Sequence, residues 1–316
     1  MELIIFDDSF ELNNLESMKI KQFNKPFVST IGMFDGVHLA HRDLLSEVKK
    51  ESEIKGYYSS AITFLIHPDY ILNKRSNQGY LLKFEDKVEK IASCGIDYLF
   101  VFPFSKEFSL ITYEKFNEIM KKLNIKDLVL GPDTKYGYNQ EGNIETLKKD
   151  FDVKIIEEVK YNNLIIHSKE VRKLLENGKV EDANKLLGYN FFIKGNVTKG
   201  NKIGRTINFR TANIDLDNNY DYLADGVYGT TISIDDKIYY GICNIGCNPT
   251  INNNITKRLE VNIFDFDEDI YGKEIKVSFL TFIRGEVKFA STDELKGQIE
   301  EDIIKFKNCL GGRKWL

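Results

Sequence analysis

The chain has 316 residues, enough for about two domains. Hydrophobic residues make up 42% and charged residues 29%, with 22 glycines and 5 prolines, which excludes collagen-like, Pro/Gly-rich disordered and coiled-coil chains. Lys plus Arg number 44 against 48 Asp plus Glu, and the net charge of −4 argues against broad binding to a nucleic-acid backbone.

At the start of the chain, Glu2, Asp7 and Asp8 stand where a signal peptide needs basic residues and then a long apolar stretch. No run of about 18 apolar residues follows to cross a membrane, so a cytoplasmic protein is expected. Residues 27–31 read as a strand, followed by a Gly-containing turn and a helix with Leu44, Leu45 and Val48 on one face and Gly56 as its stop. Residues 59–65 form a second strand, 88–92 belong to a helix ended by Gly95, and 98–102 form a buried-type strand. Phe116, Ile119, Met120 and Leu123 make a helical stripe, and 128–130 and 153–156 are further short strands. Strands alternating with helices in this way predict βαβ units and a parallel sheet. After Leu187 and Gly188 strand follows strand, at 191–197, 227–234, 238–245, 259–266 and 275–283, with Asp235 and Asp236 as a turn. That spacing predicts a small antiparallel barrel, closed by a helix with the stripe Leu295, Ile299, Ile303 and Phe306. Cys94, Cys243, Cys247 and Cys309 are too scattered for a disulfide framework, and no second pair with zinc spacing accompanies Cys243 and Cys247. Buried, reduced thiols are expected.

Candidate chemistry begins with Gly32-Met33-Phe34-Asp35-Gly36-Val37-His38-Leu39-Ala40-His41, where the first strand turns into the first helix. Free N–H groups at a helix start attract phosphate, and two imidazoles three residues apart lie on one side, suited to charge developing in nucleotidyl transfer. A surface histidine pair and a metal site are the alternatives; a metal would want a nearby carboxylate or a third imidazole, from 4 histidines in all. Ser168, in the run from Ile166 to Arg172, is a good N-cap by itself; beside the His38/His41 segment it reads as a second phosphate clamp, with Arg172 as its fixed charge. Residues 131–142, with Gly131, Gly137, Gly142, Tyr136 and Tyr138, suit either a flat ring resting on backbone or a plain loop. Gly195, Gly200, Gly204 and Arg205 resemble a phosphate loop without a Walker A ending. Thr211 and Asn213 offer oxygens to a magnesium nucleotide. Glu260 lies in an alternating strand, where a carboxylate is ordinarily just solvated. Asp265, Asp267 and Asp269 imitate a calcium loop, but Ile270 stands where Gly is required.

In order, these segments resemble the prokaryotic bifunctional riboflavin kinase/FMN adenylyltransferases, or FAD synthetases, from about residue 28 to residue 302. Gly32 to His41 is similar to the family's G-N-F-D-G-V-H-x-G-H. Residues 131–142 resemble its aromatic-glycine segment, Ser168 and Arg172 match S-S-T-x-I-R, and Leu186-Leu187-Gly188 looks like its domain junction. Thr211-Ala212-Asn213 matches most of P-T-A-N, Asn244-Ile245-Gly246 with Asn248-Pro249-Thr250 resembles N-I-G-x-x-P-T, and Glu260 falls on the family's catalytic glutamate. Met33, Ala40, His167, Lys169, Arg210 and Cys247 depart from the pattern.

The resemblance implies an α/β Rossmann-like nucleotidyltransferase domain over residues 1–187, then a six-stranded riboflavin kinase-like β-barrel with a C-terminal helix over 188–316. It implies phosphorylation of riboflavin to FMN and adenylylation of FMN to FAD, using ATP with magnesium and no nucleic-acid or membrane partner. Glu260, His38 and His41 are its implied catalytic residues. Gly32, Phe34, Asp35, Gly36, Ser168 and Arg172 would handle phosphate in the first domain, and Asp133, Tyr136 and Arg284 are flavin candidates. Gly200, Gly204, Arg205, Thr211 and Asn213 would bind ATP in the barrel, Thr211 and Asn213 also serving the metal. The departures leave two other expectations standing: a monofunctional FAD synthetase whose barrel only binds flavin, and a flavin-sensing regulatory protein.

Overall fold

The structure is a computed structural model that describes residues 1–6, 22–72, 79–198, 211–216, 220–249 and 255–311. The chain divides into two compact units, Met1–Ser168 and Lys169–Leu316.

In the first unit six strands, all parallel, form one sheet: β1 (Glu2–Ile5), β2 (Phe27–Ile31), β3 (Tyr58–Phe64), β4 (Tyr98–Phe102), β5 (Ile125–Leu130) and β6 (Asp152–Ile155). Their spatial order is β1-β4-β3-β2-β5-β6. Chain order runs outward from β2 to β3 and β4, then crosses back to β5 on the other side of β2. The helices are α1 (Leu39–Lys55), α2 (Pro68–Ile71), α3 (Phe84–Ala92), α4 (Tyr113–Lys122) and α5 (Ile144–Leu147). The predicted stops and stripes are physical: Gly56 caps α1 at φ 68°, and Phe116, Ile119 and Met120 of α4 are buried in the core with Phe27, Phe100 and Leu128. β3 is buried along Ser59 to Thr63, as a strand covered on both faces must be. Strand β1 was not among the predicted elements; it is an edge strand whose Leu3 and Ile5 are exposed, so it carries little burial pattern. A small hairpin, β7 (Lys160–Tyr161) and β8 (Leu164–Ile165), turns through Asn162 and Asn163, both at positive φ.

The second unit carries most of α6 (Ser168–Glu176), then α7 (Val180–Leu187), capped by Gly188 at φ 72°, and a closed antiparallel barrel. Its strands are β9 (Phe192–Thr198), β10 (Ala212–Asp215), β11 (Gly226–Ile234), β12 (Lys237–Pro249), β13 (Ile255–Ile263) and β14 (Glu274–Arg284), in the order β10-β13-β12-β11-β14-β9. Asp235 and Asp236 make the β11–β12 turn, both left-handed, which matches the twist of a two-residue hairpin. Two predictions shift. The sixth strand, β10, is only four residues long and covers the Ala212–Asn213 end of the Thr211-Ala212-Asn213 motif. The strand predicted at 259–266 instead spans Ile255–Ile263, because Asp265 turns the chain at φ 53°.

The final helix, α8 (Thr292–Cys309), is N-capped by the Ser291 hydroxyl and lays Ile299, Ile303 and Phe306 over Val227 and Ile242 on the outer face of the barrel. Gly229 makes this contact possible, since a Cβ there would overlap the Phe306 ring. Gly229→Ala is therefore expected to lower the stability of the second unit by about 1–3 kcal/mol, the range for overpacking. Urea unfolding checks this; an unchanged midpoint would mean that α8 rests there loosely.

Candidate functional site

The first candidate site lies where open parallel sheets bind ligands, at the carboxyl ends of strands flanking the point where strand order reverses. Here those strands are β2 and β5, and the loops leaving them are residues 32–38 and 131–143. The β2 loop passes through a single 3₁₀ turn, Asp35–Val37, in a strained conformation: Phe34 (φ 50°), Gly36 (φ 77°) and Val37 (φ 35°) all have positive φ. Only the glycine adopts that at little cost; a β-branched residue there is a genuine outlier. Burial holds the turn in place. Phe34 and Val37 are fully buried, and the Asp35 carboxylate, also buried, accepts the Leu81 amide at 2.8 Å.

The turn delivers two imidazoles. His38 is the N-cap of α1, its Nδ1 accepting the His41 amide at 3.4 Å. Neutral His38 therefore carries its proton on Nε2. The two rings stack with centroids 3.6 Å apart, and the Phe34 ring meets His41 edge-on at 5.2 Å. His41 Nδ1 is buried and has no hydrogen-bond partner among the described residues. Burial holds the His41 imidazole well below its ordinary proton affinity, helped by the nearby His38, His167 and Lys87.

An unfolded chain protonates histidine near pH 6.5, whereas the folded chain keeps His41 neutral, so acid below that value draws the equilibrium toward unfolding. Hydrogen exchange across α1 should accordingly lose more protection between about pH 7 and about pH 5.5 in the parent than in His41→Gln. Equal losses would mean that His41 is not held neutral.

Ser168 joins the same turn, its hydroxyl donating to the Asp35 carbonyl at 2.8 Å. It is the first residue of α6, not its cap: the buried, strained turn offers a carbonyl that takes the hydroxyl instead. Thus Gly32, Phe34, Asp35, Gly36, His38, His41 and Ser168 come together within the first unit. Arg172, one turn further along α6, belongs to the second unit and is buried.

A cavity of about 790 Å³ opens beside the turn, lined by Gly32, Met33, Phe64, Phe108, Asp133 and Tyr136 among others. Tyr136 is buried, and its hydroxyl donates to Asn117 at 2.8 Å and lies 3.2 Å from Thr146. Gly142 is required there, because a Cβ would come within 2.6 Å of the Tyr136 ring. The loop is thus a packed cavity wall, with Asp133 exposed on it.

Sequence reading missed Lys87. The residue is 5% exposed, and its ammonium donates to the Phe64 carbonyl (3.1 Å), the Thr63 hydroxyl (3.3 Å) and the Met33 carbonyl (3.4 Å). Burial pulls its pKa down to about 8, with Asp35 opposing.

The second candidate site is on the outer face of the barrel. Leu259, Val261 and Ile263 of β13 point into the barrel core, so Glu260 between them points out. Its register partners are Asn213 on β10 and Asn244 on β12, setting three polar side chains in a row on one face. Asn213 is 4% exposed, and its Oδ1 has no partner among the described residues. A cavity of about 590 Å³ adjoins the row, lined by Thr211, Asn244, Glu260 and Arg284 on one part and by apolar Val227 and Ile299 on another. Arg284 is committed to the fully buried Asp302 of α8, with Nε–O distances of 2.9 and 3.1 Å and an Nη2–O distance of 2.8 Å. The unmet Asn213 oxygen and the Thr211 hydroxyl are hard donors of the kind magnesium takes, one or two from the protein and the rest from phosphates. Gly200, Gly204, Arg205, Arg210 and Thr250 lie outside the described residues.

Two family models match successive parts of the chain. Residues 20–170 match the FAD synthetase family, and residues 187–310 match the riboflavin kinase family. A bifunctional riboflavin kinase/FMN adenylyltransferase of Bacillus subtilis (strain 168) is 36% identical over 291 residues, covering 90% of this chain and 92% of its own. Those of Buchnera aphidicola subsp. Schizaphis graminum and Escherichia coli K12 are 39% and 33% identical, each covering 90% of this chain and 94% and 93% of their own. A solved structure described as a macrolide-efflux protein from Streptococcus pneumoniae superimposes with a TM-score of 0.87 at 30% identity, covering 98% of this chain and 99% of its own. That description belongs to that protein; among the described residues of this one, no helix is long and apolar enough to cross a membrane.

A nucleotidyltransferase-type parallel sheet followed by a flavokinase-type barrel defines a two-domain transferase of flavin-cofactor synthesis. The chain belongs to the bifunctional riboflavin kinase/FMN adenylyltransferase family.

Proposed function

We propose that the chain makes FMN from riboflavin in the barrel and FAD from FMN in the α/β unit, with one ATP consumed at each step. The observation that carries this reading is the pair of separate polar constellations. One is the stacked His38/His41 pair at a helix start; the other is Glu260 set between Asn213 and Asn244.

In the kinase step Glu260 accepts the proton of the terminal ribityl hydroxyl, whose oxygen attacks the γ-phosphorus of ATP and displaces ADP. Thr211 and Asn213 would hold magnesium with the nucleotide, and the ion, when bound, offsets charge on the β- and γ-phosphates. In the adenylyltransferase step an FMN phosphate oxygen attacks the α-phosphorus of ATP, and pyrophosphate leaves. His38 donates through its Nε2–H and His41 through its free ring edge to the charge that builds on the phosphates, alongside the α1 amides. Ser168 locks the turn, Asp133 and Tyr136 shape the flavin wall, and Arg284 braces the barrel cavity. We place the protein in the cytoplasm, where its small-molecule substrates are available.

Chromatography of products from riboflavin, ATP and magnesium tests the proposal. FMN followed by FAD is expected. FAD formed only from supplied FMN would leave a monofunctional FAD synthetase, and no product from either substrate would point to a sensor.

A further inference from the structure

Lys87 stands apart from every other lysine described here. It lies on α3 three residues after Phe84 and four before the fully buried Ile91, so it occupies the apolar stripe of an amphipathic helix. Its three acceptors come from two neighbouring strand ends: Thr63 and Phe64 at the end of β3, and Met33 just beyond β2. The Thr63 hydroxyl also donates to the Met33 carbonyl at 3.2 Å, which closes a triangle of Lys87, Thr63 and Met33. Met33 opens the strained turn that carries Phe34, Val37 and His38, and both Met33 and Phe64 line the cavity of the first unit.

An ammonium has three N–H donors. All three are used within the protein, so none is left for a substrate phosphate. A buried lysine bound in this way acts on the reaction through other groups. It fixes the root of the turn, and it places a positive charge among buried groups that include His41. From this geometry we infer that Lys87 is a positioning residue for adenylyl transfer, its charged form pinning the β2 and β3 ends so that His38 and His41 meet the phosphates in register. The inference rests on the proposed adenylyltransferase reading of this unit.

The charge gives a handle. Lys87 faces Asp35 from the turn and His41 from α1, with His38 and His167 also beside His41, and with Lys83 and Asp86 as neighbours on its own helix. Its pKa of about 8 puts deprotonation within reach of an ordinary pH profile. Above that value the amine loses one donor and its charge, the triangle loosens, and FAD-forming turnover should fall while the kinase does not follow.

The experiment measures FAD formation from FMN, ATP and magnesium, and FMN formation from riboflavin, in the parent, Lys87→Met and Lys87→Arg. Lys87→Met should lose about 100-fold in adenylyltransferase kcat, the scale of a small misplacement of reacting groups, with far less change in KM. Kinase turnover should match the parent. Lys87→Arg, which stays charged at every accessible pH, should recover much of the turnover and move the alkaline limb upward. A parent that makes no FAD overturns the functional reading itself. With an active parent, the positioning role is overturned by a Lys87→Met kcat within about threefold of it. It is overturned equally by a parent profile flat well above pH 8, or by a Lys87→Arg profile that keeps the parent's limb. If hydrogen exchange finds α1 and β3 unprotected in Lys87→Met, the two remaining pH profiles decide.

Discussion

His41→Ala is expected to abolish FAD formation while FMN continues to accumulate. Loss of one well-placed donor to developing charge typically costs about 100- to 1,000-fold in kcat. The larger figure is expected here, because the ring is also structural to its neighbour: it stacks on His38 at 3.6 Å and receives the Phe34 edge at 5.2 Å. Removing it takes away the ring on which His38 stacks, while the His41 amide N–H that donates to His38 Nδ1 remains. The kinase is an internal control, since Glu260 and its flanking asparagines belong to the other compact unit. Riboflavin supplied with ATP should give FMN at the parent rate and no FAD. Equal loss of both products in a folded variant would sink the assignment of the two reactions to two separate sites.

What could be read from the sequence divides along a physical line. Local periodicity and turn chemistry announce α1 with its Gly56 stop, α4 with its Phe116, Ile119 and Met120 stripe, and the Asp235–Asp236 hairpin. They also announce that a parallel α/β unit gives way to an antiparallel barrel. Motif chemistry finds the His38/His41 turn and Glu260. Features made by tertiary packing are not announced. Phe and Val are poor candidates for positive φ, and only the surrounding burial forces Phe34 and Val37 there. β10 has too few residues to display a period. Ser168 looks like an N-cap until the Asp35 carbonyl is brought against it. Tyr136 reads only as an aromatic of a ring-binding or plain loop, and nothing in the sequence announces that Asn117 and Thr146 take its hydroxyl. Lys87 did leave a trace, a lysine in line with Phe84 and Ile91 on an apolar stripe. A lysine on a surface helix is ordinarily solvated, however, and its carbonyl partners lie on β3 and just beyond β2.

Glu260→Gln is expected to stop riboflavin phosphorylation and leave adenylylation of supplied FMN near the parent rate. The alternation of β13 buries Leu259, Val261 and Ile263 in the barrel and turns Glu260 to the cavity face, between Asn213 and Asn244. A solvated strand position would explain a carboxylate there, but it would not explain the neighbouring Asn213. That side chain is 4% exposed with an oxygen unmatched among the described residues, a costly arrangement unless a ligand completes it. Within this row Glu260 is the carboxylate. Gln keeps the size and one acceptor oxygen of Glu while removing its ability to take a proton, so substrate binding should persist while the chemical step fails. General bases contribute about 100- to 10,000-fold, and the loss should appear in kcat with riboflavin KM little changed. Both products are read in one assay, so the adenylyltransferase reports whether the chain is intact. A Glu260→Gln kinase within a few-fold of the parent would make Glu260 a bystander on the barrel surface and leave the proton acceptor to be sought elsewhere on the cavity wall.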